Sequence, residues 1–555
     1  MSSSSPTTTP VEFVCACDES FRSACGVAFP SRSGKQYCVI HYPGGEKTET
    51  FKSALTDRLG DVVDNIGRGP DVGTDATLNL RGAWLPERFA SRGRRFKKAL
   101  DFSGAVFHNG ADFSSSVFEQ PANFAGATFN GPVDFSGCEF EGEADFTGAL
   151  FEASVRFSNK TAFRKRATFN DGEFKGMVIF STSDFGGEAD FGGAKFHDTA
   201  SFAQARFSGL AKFSNSKFLL SKHSNDYAPV DFSSAVFDDE ADFSNATFSG
   251  KVVFYKSAFR RTLKLFFSRF EGVADFRDAA FADYVRLVRG YEKPNFAPTA
   301  SLNLKDGNVE TPGRVVFDTP YLRPHWFVNV DAREFSFVNV DWKWRKIKVR
   351  KEIKALKKRE IEERKKKGIP VKSMFRLETL DKSSRVSLHR ALAVAYRHLA
   401  INAEDNHRYG DASKFRYMAM DTRRLESWQG FAPWKLSWWY WLASGYGERV
   451  SRAFLVLIFV ILVPFALLYW KAECVALPLF EKSACVAWTA QAGGPAAPTE
   501  GLPRALAYSL NVMTLQRPDP RPASASAQLL TGVETVLGPL QGALLALAIR
   551  RQFMH

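Results

Sequence analysis

Residues 101–140 read "DFSGAVFHNGADFSSSVFEQPANFAGATFNGPVDFSGCEF", with phenylalanine at 102, 107, 113, 118, 124, 129, 135 and 140, in steps alternating between five and six. The spacing runs on to Phe281, with a one-residue slip before Phe163 and Phe169 and an insertion, "LLSKHSNDYAPV", at 219–230. Neither a helix of period 3.6 nor a flat strand of period 2 keeps such positions on one face. A chain that turns a corner after each short extended segment does. The residue two before each Phe is small (Ala105, Ala111, Ser116, Ala122, Ala127), and in extended backbone residues two apart point the same way, so both face inward. The residue between them (Asp112, Asn123, Asp134, Asp145) faces water, and a Ser or Gly usually follows the Phe, as turn chemistry requires.

This pattern resembles the Phe-rich form of the pentapeptide-repeat family, whose unit reads small, Asp or Asn, Leu or Phe, Ser or Thr, any. The resemblance implies a right-handed quadrilateral β-helix, an all-β solenoid with four units per turn. Equivalent positions of successive coils superpose, so columns of Phe rings fill the core and Ala leaves room for them. Residues 102–281 make about eight such coils at about 22 residues each. "LNLRGAWLPERF" near Leu78 and "FVNVDAREFSFVNVDW" near Phe327 are weaker copies that open and cap the rod, giving a solenoid over 75–342.

Some soluble members of that family mimic duplex DNA and bind a DNA topoisomerase, which is the alternative function the resemblance offers. Charge argues against it. The chain carries a net charge of +14, yet the Phe block from Asp101 to Phe281 holds about 24 acidic and about 18 basic residues, so the rod is only mildly acidic. Much of the positive surplus sits in "WKWRKIKVRKEIKALKKREIEERKKKG" at 342–368, within a basic segment spanning 343–382. Two readings stand for it: a solvated, charge-laced helix or linker, and a basic segment lying on anionic lipid. Nucleic acid is not an expected partner.

Residues 453–470, "AFLVLIFVILVPFALLYW", hold no charge over a length that crosses hydrocarbon, and 529–549 offer a second span inside a membrane domain of 434–555. An aromatic run, "WKLSWWYW", precedes the first span, Arg449 and Arg452 flank its start, and Arg550 and Arg551 follow the second. These positive ends place both chain termini and the solenoid in the cytoplasm of a bacterial-type inner membrane, with 471–528 outside. The order of span, short helix, loop (503–520) and span resembles two-span pore-loop ion channels. That resemblance implies a tetramer, a filter threonine at Thr514, filter neighbours Gln516 and Arg517, and an inner-helix hinge at Gly538. The Gly-Tyr-Gly run of potassium filters is missing after Thr514, so potassium selectivity is not implied. A two-helix anchor is the other reading. Glu534 lies inside the second span, where a carboxylate is costly and marks a functional position.

Seven cysteines fall in three settings. Residues 1–10 read as a disordered tail. In the following segment, 11–60, Cys38 and His41 have the spacing of a zinc knuckle, and Cys17 with Cys25 completes a tetrahedral zinc site, with Cys15 as alternative to Cys17. Free thiols in a small folded cap are the competing reading. Cys474 and Cys485, beyond the first span, are placed to pair as a disulfide in an oxidising compartment. Cys138 takes an inward small-residue position and reads as packing. Between rod and membrane, 383–426 shows helical periodicity broken at "NHRYGD", a helical hairpin that resembles one tetratricopeptide unit and serves as a coupler. No phosphate-binding Gly loop, nucleophile elbow or catalytic His cluster occurs, so the expected function is a membrane-anchored protein-binding scaffold or sensor and not an enzyme.

Overall fold

Phenylalanine spacing becomes register in three dimensions. The computed structural model describes residues 78–219, 230–289, 295–319, 322–340, 348–366, 387–426, 435–470, 501–516 and 524–553, with shorter pieces at 16–17, 19, 21, 28–29, 36–44, 47, 49–50, 53, 342, 488–489 and 521–522. Strands mostly two residues long stack into four parallel sheets of ten, twelve, nine and ten strands, a four-faced solenoid of about eleven turns. Ala122 pairs with Ala144, Thr128 with Leu150 and Val133 with Val155, one coil apart. The weak copies belong to it: the first strand is Leu78–Asn79 and the last Phe335–Val338, so the rod has more coils than the Phe block alone implies.

Four Phe columns fill the interior. Phe113 stacks on Phe135 at 4.9 Å between ring centroids with planes 1° apart, and Phe118 on Phe140 at 4.5 Å. Between columns the rings meet edge to face, as Phe146 and Phe157 do at 5.5 Å and 85°. Both arrangements suit the aromatic quadrupole when stacked rings are offset. The five/six alternation has a plain cause. On two faces the Phe is the second residue of its strand (Val106–Phe107, Val117–Phe118), and on the other two it follows the strand (Ala111–Asp112, Ala122–Asn123), so the inward position shifts by one at alternate corners.

Alternate corners each place a residue in the left-handed region: Gly104, Ser115, Gly126, Gly137 and Gly148 all have φ between 60° and 68°. Each is the third residue of a turn closed by a bond such as Ala105 N to Phe102 O, 3.0 Å, and positive φ at that place marks a type II turn. The preceding Asp does more than face water. Its Oδ1 accepts the backbone N–H two residues on, as Asp134 does from Ser136 (2.8 Å) and Asp145 from Thr147 (2.9 Å), so each Asp-Phe-Ser unit caps its own corner. The slip at 163 is absorbed at one such corner, where Asn159 and Lys160 are both left-handed and Phe140 pairs with Phe163. Across the insertion Phe207 still pairs with Phe237, rings 4.8 Å apart, so the column is continuous.

Cys138 is more than filler. It stands in a row of buried donors that reach back to the previous coil: Ser116 Oγ to Ser91 O (2.6 Å), Cys138 Sγ to Phe113 O (2.9 Å), Thr161 Oγ1 to Phe135 O (2.9 Å). Burial pushes its thiol up to about 12. Thiolate is the reactive form, so iodoacetamide at pH 8 is expected to modify Cys138 only after denaturation, as read by peptide mass mapping. Rapid labelling in the native chain would contradict this placement.

The helical part forms a second compact unit. Helix α1 (Val349–Lys366) takes up the basic segment, but Val349, Ile353 and Leu356 on one side are buried, so it is not solvated all round. α2 (Leu388–Asp405) and α3 (Tyr409–Arg424) form the expected hairpin. Ser387 caps α2, its Oγ accepting Arg390 N; Leu392, Tyr396, Leu399, Ala412 and Phe415 are buried, with the Tyr396 and Phe415 rings 6.3 Å apart. α4 (Leu436–Ser444) ends in three left-handed residues, Gly445, Tyr446 and Gly447. α5 (Val450–Trp470) contains a π-helical stretch, Leu457–Leu462, just before Pro464, whose missing N–H breaks the ordinary ladder. α6 (Leu502–Met513) and α7 (Ala525–Phe553) complete the unit.

Candidate functional site

The charged residue inside the second apolar segment organises the helices around it. Glu534 is fully buried. Tyr469 Oη on α5 donates to its Oε2 at 2.6 Å, and Ser509 Oγ on α6 donates to its Oε1. Each carboxylate oxygen thus has a partner from a different helix, which offsets the cost of burying it. Small residues let the backbones approach: Ala466, Ala505 and Ala527 pack with Tyr469, Tyr508 and Val512, the two tyrosine rings meeting edge to face at 4.8 Å. Gly538 serves the same end, since a Cβ there would lie 2.8 Å from Met513 Cγ. A larger residue at 538 would push α6 away from α7.

Of the sequence-selected pore residues, Glu534 and Gly538 therefore meet α6. Thr514 caps the C-terminus of α6, exposed, with Oγ1 donating to Leu510 O at 2.9 Å, and Gln516 is exposed beside it. Arg517, Cys474 and Cys485 lie outside the described residues.

A second polar node was not anticipated. Glu448, buried, accepts Arg416 Nε from α3 at 3.1 Å and Arg551 Nη1 from the end of α7 at 3.2 Å. Gln541 Nε2 donates to the carbonyls of Ala443 and Ala453, both at 2.8 Å, tying α7 to the end of α4 and the start of α5. The lone glutamine in an apolar span was the available signal for the second bridge. Nothing local marks the first.

In the N-terminal segment, His41 Nε2 lies 2.8 Å from Arg81 O, and a carbonyl only accepts, so Nε2 carries the proton. His41 Nδ1 faces Cys38 Sγ, 3.1 Å away. Two of the four expected zinc ligands are thus adjacent, with His41 Nδ1 facing the thiol. Cys17 is half-buried, while Cys25 and Cys15, the alternative to Cys17, lie outside the described residues. Among the described residues no group of three or more His, Cys, Asp or Glu is gathered as a metal site.

No curated protein and no solved structure matches the chain. Residues 95–138 and 113–161 match the family model described as pentapeptide repeats, nine copies. The same pairing and the same turns continue on both sides of the matched coils, from Leu78 to Val338. The coils over 95–161 are accordingly matched as pentapeptide repeats, within a four-faced parallel β-solenoid that runs from Leu78 to Val338.

Proposed function

We propose that the protein is a membrane-anchored scaffold or sensor, holding its pentapeptide-repeat solenoid at the cytoplasmic face of a bacterial-type plasma membrane for another protein to bind. The observation that carries the reading is the surface of α5 and α7. Both are long and apolar enough to cross a bilayer, and they expose large apolar side chains, Phe459 at 64% and Val536 at 67% among them. Trp439 and Leu436 on α4 are also exposed, as in a helix at a headgroup boundary. Arginines at the start of α5 and the end of α7 favour the cytoplasm for that end of both helices. The repeat rod supports an interaction role over catalysis.

Ion conduction by an oligomer, a tetramer in the pore-loop reading, is the second reading. It is favoured by α6, a short helix packed between two candidate spans with its polar tip at Thr514 and Gln516 exposed. Single-channel recording from the reconstituted chain tests it. The topoisomerase-directed alternative is less well supported, because charges on the rod alternate in sign across coils, as in Arg164–Glu139 and Lys212–Glu188. For zinc, the reading rests on Cys38 and His41, and metal analysis of the purified chain with and without Cys38→Ser decides it.

The anchoring reading predicts that the full chain stays in the membrane pellet through alkaline carbonate extraction, while a chain truncated after Arg424 is released. Full-length protein in the carbonate supernatant would overturn it.

A further inference from the structure

Arginines around the helical junction fall into two groups. Arg416 and Arg551 are paired with Glu448, and Arg424 with Asp421 at 2.8 Å. Arg449 and Arg452 have no carboxylate within 4 Å among the described residues, yet both are held in place. The Arg449 guanidinium carbon stands 4.2 Å from the centre of the Tyr417 ring, and that of Arg452 5.0 Å from Trp441, with Arg452 Nη1 also donating to Trp441 O at 3.0 Å. Aromatic stacking fixes a guanidinium without neutralising it. Their charge remains available to an anion from outside the chain.

What lies beside them narrows the anion. A shallow groove of about 460 Å³ runs from Arg449, Ser451 and Arg452 down α5 to Leu455, Phe459 and Val460. These last three are 50%, 64% and 59% exposed. From Arg449 to Phe459 the helix rises about 15 Å, half the thickness of a bilayer's hydrocarbon core. A free phosphate has no use for that apolar stripe, and an acidic peptide gains little from it. An amphiphile with a negative head and an acyl chain fits both ends.

We propose that Arg449, Ser451 and Arg452, with the Leu455–Phe459–Val460 stripe below them, form a binding site for one anionic phospholipid of the leaflet on that side. This rests on the membrane-spanning reading of α5. The two guanidiniums and the Ser451 hydroxyl donate to the phosphate, and the acyl chain lies along the stripe. With two uncompensated charges near the surface, preference for a net-anionic over a zwitterionic lipid is on the order of tenfold.

The test uses the delipidated full chain in mild detergent, titrated with phosphatidylglycerol, phosphatidylcholine or glycerol phosphate and read by native mass spectrometry. Phosphatidylglycerol is expected to bind on the order of tenfold more tightly than phosphatidylcholine. Glycerol phosphate is expected to leave no adduct. Arg449→Gln/Arg452→Gln should abolish the preference and Arg449→Lys/Arg452→Lys should keep most of it, with both variants still resisting carbonate extraction. Equal binding of the two lipids by a carbonate-resistant chain overturns this site and leaves the anchor standing, as does a preference untouched by the Gln pair. Tight binding of glycerol phosphate replaces the lipid by a soluble phosphate ligand and overturns the proposal. A wild-type chain extracted by carbonate overturns the anchor and the site together.

Discussion

Phe146→Ala is expected to destabilise the middle of the rod by about 3–5 kcal/mol, the range for deleting a buried aromatic side chain. Phe146 stacks on Phe124 and Phe169, each at 4.9 Å, and meets Phe135 and Phe157 edge to face. Truncation removes these contacts and those to Phe140 and Phe151, and neighbouring coils cannot close the gap without breaking their strand register. Because each coil touches only its neighbours, the loss is local. Hydrogen exchange of the intact chain should show amides around 144–169 losing protection by about 10²- to 4 × 10³-fold, with distant coils changed far less. Phe96, which among the described residues stacks on Phe118 alone, is the internal comparison, and alanine there should cost clearly less. Equal effects at Phe96 and Phe146 would contradict a core made of continuous columns.

Glu534→Ala is expected to loosen the helical unit by about 2 kcal/mol. The substitution removes the carboxylate to which Tyr469 Oη and Ser509 Oγ donate, next to the buried cluster of Ala466, Ala505, Ala527 and Val512 that holds Tyr469. Glu534→Gln keeps an acceptor oxygen, and its amide can donate to the hydroxyl it faces, so it should cost less than half as much. Thermal unfolding of the detergent-purified variants ranks them: wild type, then Gln, then Ala. If Ala melts with wild type while Gln is damaging, the carboxylate serves something other than this bridge, and the conduction reading gains weight.

Most of the rod was legible because its determinants are local and repeated. Phe at 102, 107 and 113 names the corner spacing, Ala105 and Ala111 name the inward slots, and the shift to 163 marks the coil that holds an extra residue. Resolution within the unit was lower. Asp134 reads as a solvent-facing residue until its bond to Ser136 N is seen, and Cys138 as a filler until Phe113 O appears behind it. Periodicity says which way a side chain points and not which backbone group it meets. The helical unit was legible as segments: the hairpin, the two apolar spans and the short helix all fall near their expected places. Its polar nodes were not. Glu534 stands out as a charge in an apolar run, but Tyr469 and Ser509 are 65 and 25 residues away in the chain, and nothing in either stretch names the other. Arg449 and Arg452 read as flanking charges, and only the rings of Tyr417 and Trp441 show them fixed in place.

The central claim is that a pentapeptide-repeat rod is held on one side of a membrane by the two apolar helices. Protease treatment of sealed membrane vesicles in both orientations, probed for the solenoid, tests it most directly. The account predicts that the solenoid is cut free only when the cytoplasmic face is outward, leaving a fragment containing α5 and α7 in the membrane. Release from vesicles of the opposite orientation, or a solenoid found free before any protease is added, would contradict it.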